Sequence, residues 1–117
     1  MQIMMTMDDR SARILAEHGG PRGACEYAIH RAHGHYKRCI EDTDNAYLEA
    51  GETEAAHRVR VTEVQRAWRA RRGAIAEALA TFDTAVTAGL LDGIPDGAMI
   101  ETARIFLRSL PAELPAW

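Results

Sequence analysis

Two long stretches of this chain place their apolar residues three and four positions apart, with one step of five between Val59 and Val64, and almost nothing separates the stretches. In the first, 21–50, the stripe is Cys25, Ala28, Ile29, Ala32, Tyr36, Cys39, Ile40, Thr43, Tyr47 and Ala50. In the second, 52–88, it is Ala56, Val59, Val64, Ala67, Trp68, Arg71, Ile75, Ala78, Leu79, Phe82, Ala85 and Val86. Spacings of three and four mark one face of a helix and exclude the alternation of a strand. Gly51 is the helix stop between the two stretches. So short a connection forces antiparallel neighbours. The sequence therefore predicts an all-α protein built on an antiparallel helical hairpin roughly 45 Å long.

The remaining punctuation adds two shorter helices. The first spans Asp8 to His18, ends at Gly19-Gly20, and hands over to Pro21, which suits the first turn of the next helix. After Gly89, the stretch from Leu91 to Gly97 reads as a turn. A last helix then runs from Asp96 to Leu110, with Met99, Ala103, Phe106, Leu107 and Leu110 on one face. Pro111 ends it. The expectation is one small helical bundle over 1–117, with the two short helices closing the open end of the hairpin. Residues 1–7 form a flexible start and 111–117 an extended tail. Gly34 and Gly73 fall off the apolar stripes and are candidate kinks or breaks.

The core is thin. Alanine supplies 21 of the 117 residues, while Leu, Ile, Val and Phe together supply 22. Buried apolar area is the main stabilising term, and self-association is a common remedy for a small core. Two short helices cannot cover so long a hairpin, so part of its apolar stripe is left over, as interfaces are. A homodimer or higher homo-oligomer is the expectation.

Charge is polarised along the hairpin. The chain has 14 Lys+Arg against 17 Asp+Glu, a net charge of -3, which argues against a globally basic nucleic-acid binder. Around the turn lie six acids: Glu41, Asp42, Asp44, Glu49, Glu52 and Glu54. Folding about Gly51 sets 42–44 opposite 58–60, where Arg58 and Arg60 can pair with Asp42 and Asp44. Further down, Arg66, Arg69, Arg71 and Arg72 face a segment with Arg31, Lys37 and three histidines. That basic middle is a candidate anion or nucleic-acid surface. It is equally readable as a solvated face, neutralised by Asp83, Asp92, Asp96 and Glu101. Tyr36 and Trp68 lie on the core stripes, which leaves the patch without a base-stacking platform.

Metal chemistry has weak support. Glu54-Ala-Ala-His57 is a Glu-x-x-His element of the kind bundle di-metal proteins use, and His30 with His33 share a helix face. The two pairs fall at different levels of the hairpin, and no standard zinc spacing is present. Cys25 and Cys39, 14 residues apart on one helix, cannot form a disulfide with each other. Both read as small core residues. No catalytic signature appears, no cofactor is implied, and no apolar run is long enough to span a membrane. The start, Met1 to Met7, lacks the pattern of a signal peptide. A cytoplasmic, non-enzymatic module is the expectation.

The function these features favour is protein–protein interaction, through the acidic tip and the leftover apolar stripe. Proteins of this build include adaptors, assembly factors and the inhibitors that phages and mobile elements carry against host nucleic-acid-handling complexes. The alternatives are a nucleic-acid binder using the arginine-rich middle and a metal-binding bundle.

Overall fold

The computed structural model describes residues 19–89 and 97–109. They form three helices: α1 (Gly20–Glu49), α2 (Glu54–Thr87) and α3 (Ala98–Ser109). Helices α1 and α2 are the antiparallel hairpin, and α3 lies against its open half. The expected first helix over 8–18, residues 91–96 of the expected turn and the tail at 111–117 lie outside the described residues. Of the two short helices, α3 alone is therefore seen closing the hairpin.

Local chemistry explains the helix ends. Pro21 occupies the first turn of α1. At the other end, Gly51 adopts φ 82° and Glu52 φ 58°. The Gly51 amide donates to the Leu48 carbonyl at 3.1 Å and the Glu52 amide to the Tyr47 carbonyl at 3.1 Å. This paired closure satisfies two end carbonyls and requires a left-handed residue after the cap, which glycine supplies at least cost. Helix α2 begins two residues later than the sequence suggested, because Thr53 caps it. The Thr53 hydroxyl accepts from the Ala56 amide at 3.1 Å. Glu54 then places a negative charge at the positive end of the helix dipole.

The hairpin keeps one register. Tyr47 meets His57, Asp44 meets Arg60, Tyr36 meets Trp68, and His33 meets Arg71. Each pair is symmetric about Glu52, one residue beyond the expected pivot at Gly51. Gly34 and Gly73 neither break nor end a helix, since α1 and α2 run through them.

The core fills only the open half. Cys25, Ile29 and Ala32 of α1 meet Trp68, Ile75, Ala78, Leu79 and Phe82 of α2 and Ile100, Ala103 and Phe106 of α3. Phe82, Ile29, Ile75 and Ile100 are its largest fully buried side chains. Each contributes about 1.5–3 kcal/mol of burial. Several stripe residues depart from expectation. Cys39 and Ala50 are exposed, and so are Val59 and Val86. Val59 and Cys39 lie beyond the reach of α3, where two helices alone make a single layer. Ile100, absent from the expected stripe of α3, is fully buried, whereas Met99 is half-buried.

Candidate partner-binding surfaces

Past Tyr36 and Trp68 the hairpin has no third layer among the described residues. In the segments 39–49 and 54–63 no residue is fully buried. Leu48 is 61% and Val59 60% exposed, the highest among the large apolar side chains of the described residues, above Ile105 at 52% and Val86 at 42%. A groove of about 330 Å³ runs along this half, floored by Thr43, Ala46, Ala50, Ala56 and Val59. Asp42, Arg60 and Glu63 edge it.

The acidic tip is real but unevenly free. Arg60 pairs with Asp44 at 3.1 Å, as the register predicts, and its guanidinium lies 4.8 Å from the Tyr47 ring centre. Arg58 does not reach Asp42. It pairs within its own helix with Glu54, at 3.9 Å, because the two are four residues apart on one face. Glu41, Asp42, Glu49 and Glu52 are exposed and make no ion pair within the described residues.

The arginine-rich middle is largely committed to the chain itself. Arg66 donates to both carboxylate oxygens of Glu63, at 2.8 and 3.0 Å. Arg72 donates to the Leu107 carbonyl at 3.4 Å. Arg31 lies 3.4 Å from His35 and over the Tyr27 ring at 5.8 Å. Asp83, expected to neutralise this patch, is instead held by Arg104 of α3 at 2.8 and 3.2 Å. That bond holds the Asp83 carboxyl below its usual range. Arg104 had no sequence signal, because its partner lies on another helix 21 positions away. Asp92 and Asp96 lie outside the described residues.

Arg71 is the exception. Its guanidinium carbon sits 4.5 Å from the Phe106 ring centre, 4.8 Å from Tyr36 and 5.5 Å from Trp68. Its Nε donates to His33 Nδ1 at 3.0 Å. Burial lowers its pKa, with the nearby Tyr36 opposing. No carboxylate pairs with it among the described residues. The sequence placed Arg71 on the apolar stripe and also in the anion patch; its half-buried place among three aromatic rings accords with the stripe.

The metal alternative gains no geometry. Among the described residues no three His, Cys, Asp or Glu side chains come together as a metal site needs. Glu54 and His57 sit in the first turn of α2, while His30 and His33 sit midway along α1. The Tyr47 ring packs edge-on to His57, 6.2 Å between centres. Both cysteines are free, Cys25 buried and Cys39 exposed. No helix of the described residues is long and apolar enough to cross a membrane. No protein-family model matches this chain, and no characterised protein or solved structure is significantly similar to it.

Proposed function

We propose that this protein is a non-enzymatic interaction module that binds a protein partner along the outer half of its hairpin. The observation that carries this reading is the single layer at 39–49 and 54–63, with Leu48 and Val59 both at least 60% exposed. Water-facing side chains of that size, on helices with a shallow apolar groove between them, suit a surface that a partner covers. Of the unpaired carboxylates, Asp42 lines that groove, Glu41 and Glu49 lie on the same stretch of α1, and Glu52 is at the turn. They give the partner its chemistry: an apolar strip flanked by Lys or Arg. Charges of this kind set orientation and on-rate, while the apolar strip supplies affinity.

A second copy of the chain is the first partner to test, since its own Arg38 and Arg108 are exposed cations. Native mass spectrometry at low and high salt reads the assembly directly. Val59→Glu and the pair Asp42→Lys, Glu49→Lys should each dissociate it without unfolding the chain. If the wild type is a monomer, the same variants test a foreign partner in a pull-down. Retention of every wild-type partner by both variants overturns the reading.

The nucleic-acid alternative is weaker, because Arg66 and Arg72 are engaged within the chain and Arg71 is half-buried between the helices. It predicts steep loss of affinity with salt.

A further inference from the structure

A second cavity, of about 750 Å³, lies in the open half of the molecule, between α1 and α3. Its volume falls in the range of small-molecule sites. The apolar wall is Ile29, Met99, Ala103 and Phe106. The polar lining is His30, His33, Lys37, Arg71 and Thr102, and no carboxylate is among the lining residues. The lining thus combines apolar surface with hydrogen-bond donors and positive charge.

Arg71 gives the cavity its specificity. A guanidinium has five N–H donors in a rigid fork. Here Nε is committed to His33, and the remaining four donors make no hydrogen bond to the described residues. Three aromatic rings fix the plane of the group, so little rotamer freedom is left to lose. Its partial desolvation disfavours the charge, yet no acid balances it. His33 accepts the Arg71 hydrogen bond at Nδ1. Lys37 makes no ion pair or hydrogen bond within the described residues and stands at the same cavity.

Gly34 lies on the cavity wall, and a Cβ added there meets nothing within 4 Å. The backbone of α1 is therefore bare where a ligand would approach. We propose that this cavity binds a small apolar carboxylate, with the carboxylate on the Arg71 fork beside Lys37 and the apolar body against Ile29, Met99 and Phe106. A planar carboxylate matches the fork with two parallel hydrogen bonds.

The test uses the full chain, labelled for amide NMR, with naphthalene-2-carboxylate as the probe. Naphthalene-2-methanol is the neutral control and 2-naphthyl phosphate the alternative anion. The expected result is saturable shifts of amides in 29–37 and 98–106, with the alcohol weaker by about tenfold or more. Arg71→Met keeps the side-chain length and removes the fork, and should weaken the carboxylate by a similar factor. Gly34→Leu fills the cavity without touching Arg71, Lys37 or His33, and should abolish binding. If Arg71→Met does not fold, Gly34→Leu decides alone. The proposal is overturned by no saturable shift at millimolar probe or by equal affinity for the alcohol. Binding unchanged in the variants overturns it too, and tighter binding of the phosphate ester overturns the carboxylate assignment.

Discussion

Arg71 of α2 donates its Nε hydrogen to Nδ1 of His33 on α1 at 3.0 Å, the two being 38 positions apart in sequence. The bond ties the hairpin where its core ends. Phe106 of α3 stacks at 4.5 Å on the same guanidinium, so one side chain touches all three helices. The energetics of this contact are opposed. Stacking and the hydrogen bond stabilise, while desolvation of an unbalanced charge costs.

Substitutions at Arg71 separate these terms. Arg71→Ala loses packing and stacking together and should cost about 2 kcal/mol. Arg71→Met keeps the apolar bulk and removes the charge, so it should be at least as stable as the wild type. Urea titration of both variants checks this. Arg71→Met falling as low as Arg71→Ala would mean that the charge is a net stabiliser.

The core should respond where it is full and ignore changes where it is not. Ile100 is fully buried against both long helices, so Ile100→Ala should cost about 2–5 kcal/mol. Val59 is 60% exposed, so Val59→Ala should change stability by less than about 0.5 kcal/mol. Thermal unfolding of the isolated chain distinguishes them. A large loss at Val59 would show that the outer half is covered in solution.

That contrast shows what periodicity can and cannot say. The long helices, their antiparallel pairing and the turn were legible because spacing of three and four residues survives over thirty positions. An ion pair between Asp44 and Arg60 was among the expected pairings, but the register that makes it is centred on Glu52, one residue beyond the expected pivot. Burial did not follow, because a helical stripe fixes direction and not what faces it. Cys39 and Val59 lie on the stripes and stay exposed because α3 does not reach them. Met99 and Ile100 are adjacent at the start of a short helix, and the period alone does not choose between them. Docking chose Ile100. The caging of Arg71 depends on Phe106, whose position needs the turn after Gly89, and no spacing rule supplies that.

The turn stores strain at Glu52, the one described non-glycine residue with positive φ, at 58°. A left-handed conformation costs an ordinary residue about 1 kcal/mol relative to glycine. Glu52→Gly should therefore stabilise the chain by about that amount, and Gly51→Ala should destabilise it similarly. Melting curves read both. If Glu52→Gly also weakens partner binding, the strained acid is kept for recognition; unchanged binding would remove Glu52 from the interface.

Acid should loosen α3 from α2. Arg104 donates to Asp83 and holds its carboxyl below the usual value, so the folded state favours the ionised form. Its contribution is present above the ordinary Asp pKa, about 3.9, and is lost as pH falls through the lower folded value. The pair is largely solvated, which limits it to about 0.5 kcal/mol. Asp83→Asn should remove that contribution at neutral pH and flatten the stability profile below pH 4. A profile unchanged in the variant would assign acid unfolding to other carboxylates.

Gly34 and Gly73 offer a matched pair. Both lie inside long helices, and at both an added Cβ meets nothing within 4 Å. Glycine in a helix interior costs about 0.5–1 kcal/mol relative to alanine. Gly34→Ala and Gly73→Ala should therefore each raise stability by that amount, and together by about the sum, since the sites share no contact. Their surroundings differ. Gly73 is on an exposed face of α2, whereas Gly34 lines the cavity beside Arg71. Stability should thus rise alike in the two variants, while affinity for naphthalene-2-carboxylate should fall only with Gly34→Ala. Equal affinity in both would mean that the ligand does not approach the backbone of α1. Loss of stability at Gly34 would mean that the bare backbone packs against something the described residues do not include.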